Sequence, residues 1–108
     1  MTDKAEVLAY FKMYCLGVVN SKTREMLCES LGLPDRALRR YIEELRYDGH
    51  PIISNSKGAG YWYFIDTPQD RIEAKIMIAE NILKINAIRK INAPIEKVLE
   101  SDGQLELF

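Results

Sequence analysis

The turn at Gly32 constrains the fold most, because it joins two short helical patterns with no room for a longer connection. The earlier pattern ends at Gly32, and Pro34 then opens the next helix, since proline is tolerated in a first helical turn. Apolar residues in this next helix recur with i, i+4, i+7 spacing, which turns one face inward: Leu38, Ile42 and Leu45. Gly49 ends the pattern. The sequence therefore predicts a pair of helices joined by a tight turn.

An apolar stretch before this pair predicts a first helix, which we expect to be mostly buried over residues 7–16. Thr2 or Asp3 is its candidate N-cap. Val18 and Val19 indicate a short extended piece after this helix. Residues 20–23 then offer several candidate caps for the second helix.

Two β-favouring segments follow the third helix, residues 51–53 and residues 61–65. Between them lies a polar stretch, so we expect a hairpin whose tip has six or seven residues. Two interpretations of the aromatic cluster Tyr61, Trp62, Tyr63 and Phe64 are open. The rings could stack on unpaired bases, but a domain of this size needs several of them in its core, and we favour the core.

Thr67, Pro68 and Asp70 are typical of a new helix start, with a cap, a first-turn proline and an acidic residue three positions after the cap. We place the end of this helix at Ala93, because Pro94 follows. Its apolar stripe is about 160° wide, and further isoleucines extend it to another side of the helix. We expect a second copy of the chain to cover it, in a homodimer; the alternative is a helix that folds back across the first three.

Composition excludes several classes of protein. The chain has 108 residues, a formal net charge of -1 and no long uncharged apolar run, which indicates one small globular protein that is cytoplasmic and has no membrane contact. His50 is the single histidine, so with Cys15 and Cys28 the chain offers too few ligands for structural zinc, and we expect both cysteines to be reduced core thiols. No catalytic constellation or cofactor motif is present, so we expect neither an enzyme nor a cofactor.

The third helix and the hairpin tip both carry basic residues. Arg36, Arg39, Arg40 and Arg46 lie on the helix and Lys57 lies in the tip. An arginine in the major groove can bind guanine O6 and N7 together, while other basic side chains meet phosphates. The alternative is a solvated face on which Arg39 and Arg40 pair with Glu43 and Glu44.

Residues 31–46, Gly49 and residues 58–61 resemble the winged helix-turn-helix domains of the type found at the N-terminus of the biotin operon repressor, over roughly residues 5–65. The resemblance implies three helices with a β-hairpin wing and binding to double-stranded DNA. Carried onto this sequence, it makes Arg36, Arg39, Arg40 and Lys57 the DNA contacts. Pro34 and Asp35 stand where that family commonly has a Ser or Thr cap.

The last five residues resemble the short peptide with which bacterial replication and repair proteins bind the β sliding clamp. Gln104, Leu105, Leu107 and Phe108 match its usual form, and Glu106 departs from it. The resemblance implies that Leu107 and Phe108 fill an apolar pocket of the clamp. The alternative is a groove in the protein itself, because Leu and Phe exposed at a terminus are unfavourable unless something covers them.

Together these patterns predict a mainly α-helical protein with a small β-hairpin wing. We assign residues 1–66 to a winged helix-turn-helix domain, 67–100 to a long helix for dimerisation or packing, and 101–108 to the tail. The function expected is that of a bacterial or phage DNA-binding protein associated with DNA replication and recruited to the sliding clamp. The alternatives are a small transcription regulator with a structural tail and a protein adaptor that does not bind DNA.

Overall fold

A computed structural model describes residues 2–58 and 60–101. Three helices come first, α1 (Lys4–Tyr14), α2 (Arg24–Leu31) and α3 (Asp35–Tyr47). The strands β1 (Ile52–Asn55) and β2 (Gly60–Tyr63) and the long helix α4 (Pro68–Ser101) follow. The prediction of a mainly helical chain with a small hairpin and a long C-terminal helix is confirmed. Contacts divide the chain into two compact units after Met77.

Helix α1 begins after Asp3, whose side chain accepts a hydrogen bond from the backbone N–H of Glu6. The expectation that this helix is mostly buried is wrong. Only one of its faces enters the core, through Val7 and Phe11, while Met13 and Tyr14 are exposed. The segment is therefore less buried than its high content of apolar residues predicted, because apolar residues occupy both faces of the helix.

Helices α2 and α3 form the predicted pair around Gly32. Thr23 caps α2 by accepting from the backbone N–H of Met26, and Gly32 ends it in the left-handed conformation with φ 64°. Asp35 is the first residue of α3, and Pro34 precedes it in extended conformation. The predicted inward face is confirmed, since all three of its residues are at most 2% exposed: Leu38, Ile42 and Leu45.

The segment between α1 and α2 differs from the expectation of an extended piece at Val18 and Val19. Residues Val18–Asn20 form a single 3₁₀ turn, in which Ser21 donates to the carbonyl of Val18 over 3.1 Å. Extended backbone flanks this turn instead: Leu16 bridges to Tyr63 and Lys22 bridges to Tyr61. Strand β2 therefore lies between β1 and the α1–α2 segment.

The hairpin pairs Asn55 with Gly60, so its tip comprises residues 56–59 and is shorter than the predicted six or seven residues. Strand β2 ends at Tyr63, which leaves Phe64 and Ile65 outside the strand. Trp62 is fully buried in the core, while Tyr61, Tyr63 and Phe64 are half-buried. The core interpretation is confirmed for Trp62.

Helix α4 begins as predicted and ends later than predicted. Thr67 accepts a hydrogen bond from the backbone N–H of Asp70, and Pro68 is the first helical residue. The predicted end at Ala93 is wrong, because the helix continues through Pro94 to Ser101. Proline removes one helical hydrogen bond, and every residue from position 81 to position 100 is exposed, so water can satisfy the carbonyl that is left. None of the described helices combines the length and apolarity needed to cross a membrane.

A candidate nucleic-acid interface on helix α3

The face of α3 opposite its core residues is open to solvent. At about 100° per residue, Arg36, Arg40, Glu43 and Tyr47 share this face, and all four are exposed. Arg36 makes no ion pair within the part of the chain that the structure describes. Glu43 accepts a hydrogen bond from the Tyr47 hydroxyl over 3.0 Å. The face is therefore basic towards the start of the helix and carries the negative charge of Glu43 towards its end.

Asp35 holds two arginines at the start of α3. Its carboxylate lies 2.5 Å from Arg24 Nε, on the first turn of α2, and 3.1 Å from Arg39 Nε. The sequence analysis did not single out Arg24, because its closeness to Asp35 depends on the angle between α2 and α3. The pairing of Arg39 with Glu43, which belonged to the alternative of a solvated face, is wrong, since Arg39 pairs with Asp35, four residues earlier.

Arg40 is held from two sides. Its Nε lies 3.6 Å from Glu44 Oε2, as predicted, and its guanidinium lies 5.2 Å from the centroid of the Tyr41 ring. Lys4 on α1 also reaches the acidic end of the helix, with Nζ 2.8 Å from Asp48 Oδ2. Such exposed pairs contribute about 0–1 kcal/mol each. They orient the arginines, and breaking them so that an arginine can bind another partner costs little free energy.

Arg46 lies apart from the other three arginines of α3. It is half-buried, its Nε donates to the Ile52 carbonyl over 2.9 Å, and its terminal nitrogen donates to Ser54 Oγ over 3.2 Å. Burial lowers the pKa of this guanidinium from its ordinary value. Arg46 therefore fastens the hairpin to α3 and is not available on the open face.

Lys57 is exposed in the hairpin tip, where its backbone N–H donates to Asn55 Oδ1 and Gly58 follows with φ 92°. It lies on a different element from Arg36, Arg39 and Arg40, which share the first half of α3. The predicted clamp-binding residues Gln104, Leu105, Leu107 and Phe108 fall outside the described residues.

The described residues hold no cluster of three or more potential metal ligands. Cys15 is buried and Cys28 half-buried, both are free, and burial raises the pKa of each thiol. The arrangement therefore offers positive charge and hydrogen-bond donors on an open helix face. Comparison of the chain with known protein families, with curated proteins and with solved structures finds no match.

Proposed function

We propose that the protein binds double-stranded DNA through the first half of α3, and that its first three helices and hairpin act as a winged helix-turn-helix domain. The observation that carries the proposal is the exposure of three arginines within two turns of a helix whose opposite face lies in the core. In this proposal Arg36, Arg39 and Arg40 contact the duplex in the major groove, and Lys57 contacts the adjacent backbone.

Helix polarity supports this assignment. The start of a helix carries a partial positive charge and unpaired backbone N–H groups, which favour phosphate oxygens. The arginines lie in this part of α3, and the residues Glu43 and Glu44 lie in its second half. The helix therefore presents its positive end to an anionic partner.

The ion pairs support a weak and exchangeable interaction. Phosphate oxygens can replace Asp35 as the partner of Arg39, and Glu44 as the partner of Arg40, because both existing pairs are exposed. With an overall charge of -1, little long-range attraction supplements these contacts. We therefore expect modest intrinsic affinity for a duplex.

Replacing Arg36, Arg39 and Arg40 together with alanine is expected to lower duplex affinity by about 100-fold or more, since each lost phosphate or base contact costs about 1–3 kcal/mol. The slope of log affinity against log salt is expected to fall by roughly 2.7 if all three contact phosphates. Fluorescence anisotropy with a labelled duplex at several salt concentrations measures both quantities.

The matched control replaces Arg71 with alanine, an exposed arginine that pairs with Asp66 outside α3. This variant is expected to bind the duplex as the parent does. Equal affinity of the triple variant and the parent would overturn the proposal and favour the adaptor alternative.

We further propose that residues 104–108 recruit the protein to the bacterial sliding clamp and that it acts in DNA replication. The support for this step is the sequence Gln-Leu-Glu-Leu-Phe and its resemblance to clamp-binding peptides. A tether of this kind raises the local concentration of a weak DNA binder at the site where the clamp is loaded. Modest affinity of α3 for DNA is then sufficient.

Replacing Leu107 and Phe108 with alanine is expected to weaken binding to purified clamp by at least about 30-fold, because apolar anchors in a pocket contribute about 2 kcal/mol or more. Titration calorimetry with the intact protein provides the measurement. The control is Glu106→Ala, which changes the position directly before the two anchors and is expected to retain binding. Loss of folding stability in the double variant, with no clamp binding by the parent, would assign the tail to the fold.

A further inference from the structure

Residues 81–100 of α4 form a helix that is exposed at every position. Together with Ile78, this stretch carries nine large aliphatic side chains that are 38–68% exposed: Ile78, Ile82, Leu83, Ile85, Ile88, Ile91, Ile95, Val98 and Leu99. In proteins most helical stability comes from the packing of an apolar face, and β-branched residues such as isoleucine lower helix propensity. A partner that covers this surface would therefore stabilise the helix.

Five of the seven a and d positions of a heptad pattern over residues 78–99 are aliphatic, and the other two are asparagine. Setting Ile78 at position a places Ile85, Asn92 and Leu99 at later a positions, and Asn81, Ile88 and Ile95 at d positions. The a and d positions form the seam of the helix, and Ile82, Ile91 and Val98 flank this seam at e and g. Leu83 and Pro94 lie on the outer face, where water can bind the carbonyl that proline leaves without a helical hydrogen bond. Such a pattern is typical of a helix that packs along another helix.

The exposed area matches what a helix pair of this length needs. The eight of these side chains other than Leu83 are about half exposed and present roughly 250–500 Å² of apolar surface, and exposed patches of this size are often functional. The apolar share of a standard interface is about 450–500 Å² per partner. A second copy of the same helix therefore supplies a surface of the right size and composition.

We propose that two copies of the chain associate through residues 78–99 as an antiparallel two-stranded coiled coil. In this register Ile78 lies opposite the partner's Ile95, and Ile85 lies opposite the partner's Ile88. Asn81 lies opposite the partner's Asn92, so the two side-chain amides hydrogen-bond to each other. A shift by one heptad would place each asparagine against an aliphatic side chain and leave its amide unpaired, which fixes the register.

Charge decides the orientation. A parallel pair also aligns asparagine with asparagine, but it brings Lys84 at g against the partner's Arg89 at e, on both sides of the seam. The antiparallel pair places Lys84 beside the partner's Ile91 and Arg89 beside the partner's Ile82. The alkyl parts of the two basic side chains then cover the isoleucines while their charges reach water. Like charges are apposed only in the parallel arrangement.

Sedimentation equilibrium of the full chain, from low to high micromolar concentration, is expected to give a dimer mass. In the Ile88→Glu variant a charged side chain lies opposite the partner's Ile85, and this pair occurs twice in the dimer. The variant is expected to raise the dimer dissociation constant at least about 100-fold. The matched control, Asn86→Glu, places the same charge two residues away on the outer face and is expected to remain dimeric. Fluorescence of Trp62, the single tryptophan, reports whether the unit up to Met77 stays folded in both variants.

Disulfide formation tests the orientation, in a Cys28→Ser background with Cys15 left in place because it is fully buried. An equimolar mixture of Ile78→Cys and Ile95→Cys chains is expected to form the mixed disulfide on oxidation, since opposing seam positions approach within reach of the bond. Neither variant alone is expected to cross-link. A monomer mass at high micromolar concentration would overturn the dimer, and cross-linking of Ile78→Cys alone would overturn the antiparallel orientation.

Discussion

Gly60→Ala is expected to lower the free energy of unfolding by about 3–5 kcal/mol, a large part of the 5–15 kcal/mol typical of a domain. Gly60 has φ 95°, and a Cβ atom there would lie 2.0 Å from the carbonyl oxygen of Lys22 and 2.8 Å from Cα of Thr23. Both neighbours are backbone atoms, so no side chain can rotate away. Relief requires β2 to separate from the α1–α2 segment, which breaks the two hydrogen bonds between Lys22 and Tyr61.

Urea denaturation followed by Trp62 fluorescence measures this change. Gly58→Ala is the matched control, because Gly58 has φ 92° and a Cβ atom there would meet nothing within 4 Å. It carries the backbone strain alone, about 1–2 kcal/mol. An equal loss in the two variants would contradict the close approach of β2 to Lys22.

Asp70→Ala is expected to lower the free energy of unfolding by about 2–4 kcal/mol. The Asp70 side chain is 1% exposed, and its carboxylate accepts hydrogen bonds from the backbone N–H of Val18 over 2.9 Å and of Ile65 over 3.0 Å. Removing the carboxylate leaves two backbone donors without their partner, and each unsatisfied buried donor costs about 1–3 kcal/mol. Thermal unfolding monitored by circular dichroism provides the measurement.

Asp66→Ala is the comparison for this variant. Asp66 is exposed, and its carboxylate pairs with Arg71, which lowers the pKa of Asp66. We expect little change in the melting temperature, because water replaces the lost partner. If the two variants melt alike, Asp70 does not connect α4 to the α1–α2 segment as described.

Local patterns predicted the parts of the fold that depend on neighbours in sequence. The spacing of Leu38, Ile42 and Leu45 located the inner face of α3, because helical periodicity relates burial directly to position. Gly32 marked the end of α2, and the candidate caps at residues 20–23 included Thr23, which begins it, since caps act within one turn. These elements need no knowledge of distant residues.

Contacts between distant residues could not be predicted. Asp70 looked like a helix-capping acid, yet its carboxylate binds Val18, which is 52 positions away. The 3₁₀ turn at Val18 arises at the same junction, so the β-branched residues Val18 and Val19 do not form the extended segment that they favour. The end of α4 could not be predicted for a different reason, because the cost of Pro94 in a helix depends on whether water reaches the freed carbonyl.

The candidate site was predicted in part. The resemblance to winged helix-turn-helix domains implied Arg36, Arg39 and Arg40, and all three are exposed on α3. Arg46 appeared equivalent in sequence, but it lies towards the hairpin and donates to Ile52. Whether an arginine on α3 faces solvent or the hairpin depends on where β1 packs, and that is a tertiary property.

The central position of β2 also determines when the protein can fold during its synthesis. Trp62 is the largest fully buried side chain, and it enters the chain fifteen residues after α3 ends at Tyr47. At about 5–20 residues per second, the ribosome needs roughly one to three seconds to add this stretch. During that time α1, α2 and α3 have an unfilled core, so their apolar faces are open to water. We therefore expect chaperones to bind these apolar faces of the nascent chain mainly in this interval.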